Sequence, residues 1–390
     1  MSTQSQRACV VGIGQTEFAR WGRITDRSEF QLACEAIANA AADAGLTLSE
    51  IDGFSSFSDD RNQPIELQLA LGVPQLRWSS MLWGGGGGGS CGALGLAVAA
   101  VESGQANTVV VFRSLAQGQY GRYGRFDPDG SSFTYPFGLF SPAQMLALPM
   151  RRHMHEYRTK QEHFGEIALV SRDNANRNPN AVMGGRPLDL DTYLNSRMIA
   201  DPIRLFDCCQ ENDGACAAIV TTRERACDLQ NAPVQILAAA HGAGPDWGTT
   251  GAFGGQNPPM EDYASSGARS VARDLYARAG VGPTDIDVAQ IYDNFTSHVL
   301  MSLEDFGFCN TGEGGPFIAE GNIRWPGGEL PINTHGGHLS EGYIHGMNHI
   351  LEGVRQIRGT STSQVKDAKI CLVTGGPGIA PTSAALLAKC

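Results

Sequence analysis

The chain has 390 residues, 42% of them hydrophobic and 18% charged, which is enough apolar sequence for one large core or two fused ones. The formal net charge of -11 argues against a nucleic-acid binder, in which lysines and arginines normally cluster on one face. No apolar run is long enough for a signal peptide or a membrane span, so the sequence predicts a cytoplasmic protein.

The first half of the chain alternates between strand-like and helix-like segments. They are, in chain order, a strand over 8–13, a helix over 30–44, a strand from residue 53, a helix over 93–102 opened by the glycine run 84–89, and a strand over 108–112. The last strand is uniformly apolar and rich in β-branched residues, as is typical of a sheet that helices cover on both faces.

An insertion from residue 114 to about residue 204 follows, and nothing in the second half corresponds to it. It contains an aromatic and arginine-rich segment with Arg122 and Arg125, then a basic helix over 150–158. We expect this insertion to form a cap over a pocket.

The second half repeats the order of the first. Its elements are a helix over 271–279, a strand over 288–292, a helix over 346–358 that follows two glycines, and a strand over 370–374. A repeat at half the chain length indicates two similar α/β halves, residues 1–228 with the cap and residues 229–390. We expect them to pack as layers, with helices between and outside two sheets and with right-handed crossovers.

This double pattern and several local strings resemble the thiolase superfamily, and specifically its lipid-transfer-protein branch. The strings are 151–154, 174–179, 207–215 and 333–337. The resemblance covers residues 8–388 and implies the thiolase fold: two similar βαβαβαββ halves forming a layered αβαβα core, with a cap insertion in the first half.

The residues that a thiolase needs for acyl transfer are missing from this sequence. Counting back from the strand over 108–112 places Gly87 at the position of the nucleophilic cysteine, and Cys91 lies one helical turn later. The H-D-C-F motif begins with Tyr292 in place of histidine, and the G-H-P loop has Tyr343 in place of histidine. Such a chain lacks the nucleophile and bases of ping-pong acyl transfer.

The fourth thiolase motif, which supplies a cysteine or histidine before a glycine-rich turn, also departs from the family pattern. Cys371 is one residue out of register, and one residue on a strand means the opposite face. Gly376 lies in the glycine-rich turn itself.

Two phenols at two histidine positions favour proton-transfer chemistry, because a phenol both accepts and donates a hydrogen bond. Cleavage of the carbon–carbon bond of a β-hydroxyacyl thioester needs a base, an oxyanion donor and an acid, but no covalent intermediate. We assign Tyr292 as the base and Tyr343 as the acid or oxyanion donor, with the two roles exchangeable. The rest of the predicted pocket is formed by Gly87, Asn294, His345 and Gly376.

Among thiolase-like proteins, the tyrosine-for-histidine pattern resembles the steroid side-chain aldolases of bacterial sterol and bile-acid degradation. That resemblance implies cleavage of a 17-hydroxy steroid CoA thioester to a 17-ketosteroid and acetyl-CoA or propionyl-CoA, with no tightly bound cofactor. It also implies a thiolase-type homodimer at the centre of a heterotetramer with a small OB-fold and zinc-ribbon partner. The candidates for the CoA phosphates are Arg122, Arg125, Arg151 and Arg152.

Other interpretations stay open at this stage. One is a working thiolase with Cys91 as nucleophile, another is a non-catalytic lipid or acyl-CoA carrier, and a third is a scaffold whose partner supplies the chemistry. We expect no metal site, because His335, His338, His345 and His349 flank glycine-rich turns and lack the spacing of ligands on one helix.

Overall fold

The computed structural model describes residues 8–58, 60–83, 86–120, 135–245, 263–376 and 381–390. The strands are β1 (Ala8–Gln15), β2 (Ala19–Arg20), β3 (Gly53–Phe57), β4 (Trp78–Leu82), β5 (Thr108–Leu115), β6 (Met198–Ala200), β7 (Ile203–Arg204), β8 (Asn212–Thr222), β9 (Val234–Gly242), β10 (Val288–Gln290), β11 (Ile370–Gly375) and β12 (Thr382–Lys389). The helices are α1 (Glu29–Ala44), α2 (Pro64–Leu71), α3 (Ser90–Glu102), α4 (Gln117–Tyr120), α5 (Pro142–Tyr157), α6 (Gln161–Ala175), α7 (Leu190–Leu194), α8 (Arg223–Ala226), α9 (Arg269–Ala279), α10 (Thr296–Asp305), α11 (Gly314–Ala319), α12 (Gly337–Ser340) and α13 (Met347–Arg358). None of these helices is both long and apolar enough to cross a membrane.

The strands follow the order β4-β3-β5-β8-β1-β9-β12-β11-β10. The order β3-β5-β8-β1 is repeated as β10-β11-β12-β9, with the same parallel and antiparallel pairings in both halves. The structure therefore confirms the predicted repeat. One difference is that the two expected sheets join edge to edge, because β1 and β9 pair over two residues at Cys9 and Val10.

Three large clusters of buried side chains hold the layers together. Leu94 of α3 and Leu351 of α13 belong to one cluster with Val111 of β5 and Val373 of β11, so these two helices lie between the half-sheets. Helix α1 packs against the outer face of the first half-sheet, and α9 and α10 pack against the outer face of the second. The layered αβαβα core predicted from the sequence is confirmed.

Capping residues in the sequence determine where α1 and α5 begin and where α1 ends. The side chain of Ser28 caps α1, and Gly45 ends it in the left-handed conformation. In the cap, the predicted helix over 150–158 is only the second half of α5. This helix starts after Ser141, whose side chain accepts the Gln144 amide, and it continues through Pro149.

Candidate active site

The two tyrosines that replace histidines lie together. Tyr292 follows β10, Tyr343 lies between α12 and α13, and their phenol oxygens are 2.9 Å apart. The rings meet edge to face, with centroids 6.1 Å apart. Tyr292 is fully buried, whereas Tyr343 is half-buried. The pair therefore offers a hydrogen-bonded proton donor and acceptor, with Tyr343 at the more accessible end.

Gly87 makes room for the phenol of Tyr292. A Cβ atom built on Gly87 would lie 2.1 Å from the Tyr292 hydroxyl oxygen. This distance is too short for two non-bonded atoms, so only glycine fits here while Tyr292 keeps its position. The resemblance places the thiolase nucleophile at this residue. The phenol thus fills the space that a cysteine side chain would need, and the loss of the thiol and the gain of the tyrosine are sterically linked.

The glycine-rich turn after β11 closes on the same loop. A Cβ on Gly376 would lie 2.3 Å from the backbone nitrogen of Gly88, so the two backbones are in direct contact. The backbone amide of Tyr292 donates to Thr374 Oγ1 at 2.9 Å, which ties the tyrosine to the end of β11. Two glycine positions predicted from the sequence, Gly87 and Gly376, therefore lie in one backbone cluster around Tyr292.

Burial raises the pKa of both phenols. For Tyr292 the pKa lies well above the usual value; after burial, the adjacent Tyr343 raises it further, and the Gly87 backbone amide lowers it. For Tyr343 burial is again the largest cause and Cys209 adds to it, whereas the Tyr292 hydrogen bond and the Arg113 guanidinium lower the pKa. Because the two phenols share one hydrogen bond, ionisation of either one leaves the other as its hydrogen-bond donor.

A buried carboxylate under the tyrosines was missed as a functional residue at the level of sequence. Asp293 Oδ1 accepts the backbone amide of His338 at 2.7 Å and His349 Nε2–H at 3.2 Å, and its second oxygen accepts the Leu339 amide at 3.2 Å. The His338 ring packs on the Tyr292 ring, with centroids 4.4 Å apart. Asp293 thereby holds the backbone of His338, whose imidazole packs against Tyr292.

Asp293, His338 and His349 lie close enough together to hold a metal ion, which the spacing of the histidines in the sequence did not suggest. The carboxylate oxygens are nevertheless already hydrogen-bonded to two backbone amides and one imidazole. Burial lowers the pKa of His338 well below its usual value, so its imidazole is neutral. In this structure the rings of His338 and His349 pack beside the Tyr292 ring, and Asp293 is hydrogen-bonded to the residues that carry them.

Asn294 and His345 stand in different relations to the phenols. Asn294 Oδ1 accepts hydrogen bonds from the Phe295 amide at 3.0 Å and from His298 at 2.9 Å. This oxygen is therefore hydrogen-bonded to residues at the start of α10. The His345 ring lies 4.9 Å from the Tyr343 ring, on a backbone with φ +47°. Of the two, His345 is the one in contact with the pair.

Cys91 lies in the central core and not in the site. Its thiol is fully buried, donates to the Val373 carbonyl oxygen at 3.5 Å, and has a pKa that burial raises to about 12. A nucleophilic cysteine needs the opposite, namely exposure and a lowered pKa. The structure therefore gives no support to the thiolase interpretation with Cys91.

The predicted CoA-binding arginines are divided between described and undescribed residues. Arg151 and Arg152 are exposed on α5 and pair with Asp201 and with Glu156, the latter at 2.7 Å. The other two, Arg122 and Arg125, lie outside the described residues. A role of these four side chains in binding phosphates stays a prediction.

Arg113 was also overlooked. It is fully buried at the end of β5, donates from Nη1 to the Phe57 carbonyl oxygen at 2.7 Å, and lies 3.4 Å from Asp60 Oδ2. Its charge lowers the pKa of Tyr343. The signal was present in the sequence, because a charged residue directly follows the all-apolar strand over 108–112.

The comparisons with known proteins agree with this geometry. Residues 256–389 match the family described as thiolase C-terminal domain-like. The chain is 42% identical to the "17-hydroxy-3-oxo-4-pregnene-20-carboxyl-CoA lyase" of Mycobacterium tuberculosis, over 98% of this chain and 99% of that one. It is 43% identical to the "steroid side-chain-cleaving aldolase" of Thermomonospora curvata, over 99% of both chains. The chain belongs to the steroid side-chain aldolases of the thiolase superfamily.

Solved structures place this aldolase in the same fold. A structure described as an "Ltp2-ChsH2(DUF35) aldolase" matches with a TM-score of 0.92 at 42% identity, over 100% of this chain and 99% of that one. An acetyl-CoA acetyltransferase from Syntrophomonas wolfei matches with a TM-score of 0.71 at 14% identity, which shows the fold alone. The thiolase fold expected from the sequence is confirmed.

Proposed function

We propose that this aldolase catalyses retro-aldol cleavage of a 17-hydroxy steroid side chain carried as a CoA thioester, releasing a 17-ketosteroid and acetyl-CoA or propionyl-CoA. The observation that carries the proposal is the 2.9 Å contact between the phenols of Tyr292 and Tyr343, where thiolases keep imidazoles. The aldolase and lyase relatives at 42–43% identity support the same reaction type.

The contact suggests which phenol accepts the first proton. Tyr343 is the more accessible phenol, and Tyr292 is placed to donate to its phenolate, so the geometry favours the exchanged assignment, with Tyr343 as base. The Tyr343 phenolate takes the proton of the substrate hydroxyl, and the C–O bond becomes a ketone. The carbon–carbon bond breaks, and its electron pair forms the thioester enolate.

The same pair of tyrosines returns the proton. The enolate oxygen needs a donor while it carries charge, and we propose a backbone amide of the glycine loop around Gly87 for this role, since glycines let a ligand approach the backbone closely. Protonation of the α-carbon by the pair restores the Tyr343 phenolate. No step requires a tightly bound cofactor or metal, and CoA enters only as part of the substrate.

Substitution of each phenol tests the mechanism. We expect Tyr292→Phe and Tyr343→Phe each to lower kcat by about 100-fold or more, because general acid–base groups contribute about that much. Tyr276→Phe is the matched control, since this tyrosine lies on α9 and donates to the Phe306 carbonyl oxygen instead of to the tyrosine pair. Product formation is followed by the release of free 17-ketosteroid from the purified chain with its partner.

The outcomes separate the remaining alternatives. If both phenylalanine variants keep a rate within a few-fold of the parent, the tyrosine mechanism is wrong. If the parent binds the CoA ester but does not cleave it, either alone or with the partner, the protein is a carrier and the lyase proposal is wrong. Activity that resides in the partner alone identifies this chain as a scaffold.

The assembly is also part of the proposal. The similar solved structure, an "Ltp2-ChsH2(DUF35) aldolase", supports a partner protein, and we propose that this partner is a small protein with an OB-fold and a zinc ribbon. We place a homodimer at the centre of a heterotetramer, through β4 at the free end of the sheet order. Met81 and Trp83 at this edge are 54% and 91% exposed, and exposed apolar side chains on an edge strand favour pairing with a further strand. We assign the enzyme to the cytoplasm and to cholesterol or bile-acid breakdown.

A further inference from the structure

Tyr343 lies between α12 and α13, in a segment outside regular secondary structure. Two side chains hold the peptide group that joins it to Gly342. The N–H of this peptide group donates to Asn212 Oδ1 at 2.8 Å, and its carbonyl oxygen accepts from Asn348 Nδ2 at 2.9 Å. Because the two polar groups of a trans peptide point in opposite directions, the asparagines hold it from opposite sides.

Both asparagines are fully buried and are themselves held in place. Asn212 begins β8, and its Nδ2 donates to the Ala19 carbonyl oxygen at 3.0 Å. Asn348 lies in the first turn of α13, where its Nδ2 also donates to Glu341 Oε2 at 2.9 Å and its Oδ1 accepts from His338 Nε2 at 3.2 Å. Reversing the Asn348 amide would turn its oxygen toward two acceptor oxygens. These contacts therefore fix one orientation of the amide.

The cap holds the chain on the N-terminal side of the same peptide group. Glu341 is fully buried, and its other carboxyl oxygen, Oε1, accepts from Asn178 Nδ2 at 3.0 Å. The backbone amide of Val182 donates to the Glu341 carbonyl oxygen at 2.9 Å. The backbone amide of Met183 donates to the Ser340 carbonyl oxygen at 3.1 Å. Three residues of the cap thus fix the segment that leads into the tyrosine.

We propose that Asn212 and Asn348 are positioning residues that hold the phenol of Tyr343 within hydrogen-bond distance of its partner. The inference rests on the proposed function, which it deepens by naming the groups that set the geometry of the reacting pair. Neither asparagine is hydrogen-bonded to a phenol, so both act through the backbone.

The length of the tyrosine side chain makes its backbone important. The hydroxyl oxygen lies at the far end of the side chain, so a small rotation of the peptide group becomes a large displacement of that oxygen. The two phenol oxygens are 2.9 Å apart, and a displacement of about 1 Å breaks such a hydrogen bond. A misplacement of about 1 Å can lower a rate by about 100-fold.

The first test is Asn348→Asp in the chain assembled with its partner, because aspartate has the same shape but cannot donate to the Gly342 carbonyl oxygen. We expect kcat to fall by about 10- to 100-fold, with KM changed by less than about threefold. Asn231→Asp is the matched control, since Asn231 Nδ2 also donates to a backbone carbonyl and a carboxylate, both of Asp43, at 2.6 and 3.0 Å. The control should keep kcat within about twofold of the parent.

Asn212→Leu tests the other side of the peptide group and brings no new charge beside Glu341. It removes the acceptor of the Tyr343 amide at similar volume, so we expect the same fall in kcat with little change in KM. Circular dichroism shows that each variant is folded under the conditions of the assay. If folded Asn348→Asp and Asn212→Leu both keep the parental kcat, the inference is overturned.

A double-mutant cycle separates positioning from a general structural role. In the Tyr343→Phe background the phenol to be positioned is absent, so we expect Asn348→Asp to lower the residual kcat by less than about threefold. If Asn348→Asp lowers kcat in this background by the same factor as in the parent, the asparagine does not act through Tyr343 and the inference is wrong.

A failure of the proposed function would look different. If the parent cleaves no β-hydroxyacyl-CoA steroid, the lyase proposal fails, and NMR of the chain labelled with ¹³C at tyrosine Cζ then decides the positioning separately. The resonances of the pair are assigned with Tyr292→Phe and Tyr343→Phe. Shifts of both resonances in Asn348→Asp but not in Asn231→Asp support the inference, and unshifted resonances contradict it.

Discussion

At the scale of single residues, the close approach of Tyr292 to Gly87 is a tight steric constraint in the site. We expect Gly87→Ala to lower kcat by about 100-fold, because the new methyl group would lie 2.1 Å from the Tyr292 hydroxyl oxygen and must displace the phenol. Gly242→Ala is the control, since a Cβ there meets no atom within 4 Å. Steady-state kinetics with both variants checks this, and a Gly87→Ala enzyme with parental kcat would contradict the geometry.

The pH dependence of the rate follows from the raised pKa of Tyr343. A phenol whose pKa lies above 10 is almost fully protonated at pH 7, and its phenolate fraction rises about tenfold for each pH unit. We therefore expect kcat/KM to rise with pH from 7 to 9, and Tyr292→Phe, which removes the donor, to push the rise to higher pH. A flat pH profile over this interval would show that no phenolate is needed.

The sequence revealed which residues replace the thiolase histidines but not what holds them. Tyr292 and Tyr343 are 51 residues apart, and their hydrogen bond depends on the path of the chain through α10, α12 and the turns between them. The role of Asp293 depends on the backbone amides of α12, which come close only in the folded protein. The identity of each residue can be read directly from the sequence, whereas contacts between residues far apart in the chain depend on the fold.

At the scale of elements, the end of β10 shows where a pattern in the sequence misleads. The apolar run predicts a strand over 288–292, but β10 ends at Gln290. Beyond Gln290, side chains replace strand backbone as the hydrogen-bond partners of the chain. Asn333 Oδ1 accepts the Ile291 amide at 2.7 Å, and Thr374 Oγ1 accepts the Tyr292 amide. Hydrophobicity gives the burial of such a segment correctly but does not show which groups satisfy its backbone.

This replacement predicts a distinct effect of Asn333→Ala. Asn333 is fully buried, and its amide pairs with both the N–H and the C=O of Ile291. Loss of both bonds leaves two buried backbone groups unpaired, so we expect the free energy of unfolding to fall by about 2–4 kcal/mol. Urea denaturation measures this, with the exposed Asn310→Ala as control. A change below about 0.5 kcal/mol would show that Ile291 finds other partners.

At the scale of the whole molecule, the internal repeat is what made the fold predictable. Equivalent helices and strands recur in the same order, and the equivalent helices α3 and α13 pack together as the central layer. The same repeat places the glycine loop of the first half beside the turn after β11 of the second. What the repeat does not predict is the cap, which has no counterpart and whose contacts with the segment before Tyr343 appear only in the folded structure.

The free edge of the sheet leads to a prediction about assembly. β4 ends the sheet order and presents Met81 to solvent, so pairing with a second copy would bury this side chain and satisfy the open backbone groups. We expect Met81→Lys to convert the proposed dimer to a monomer in light scattering after size-exclusion chromatography, since an edge lysine opposes strand pairing. Leu148→Lys, on the exposed face of α5, should leave the dimer intact. A parent that elutes as a monomer, or a Met81→Lys variant that remains dimeric at micromolar concentration, would move the interface away from this strand.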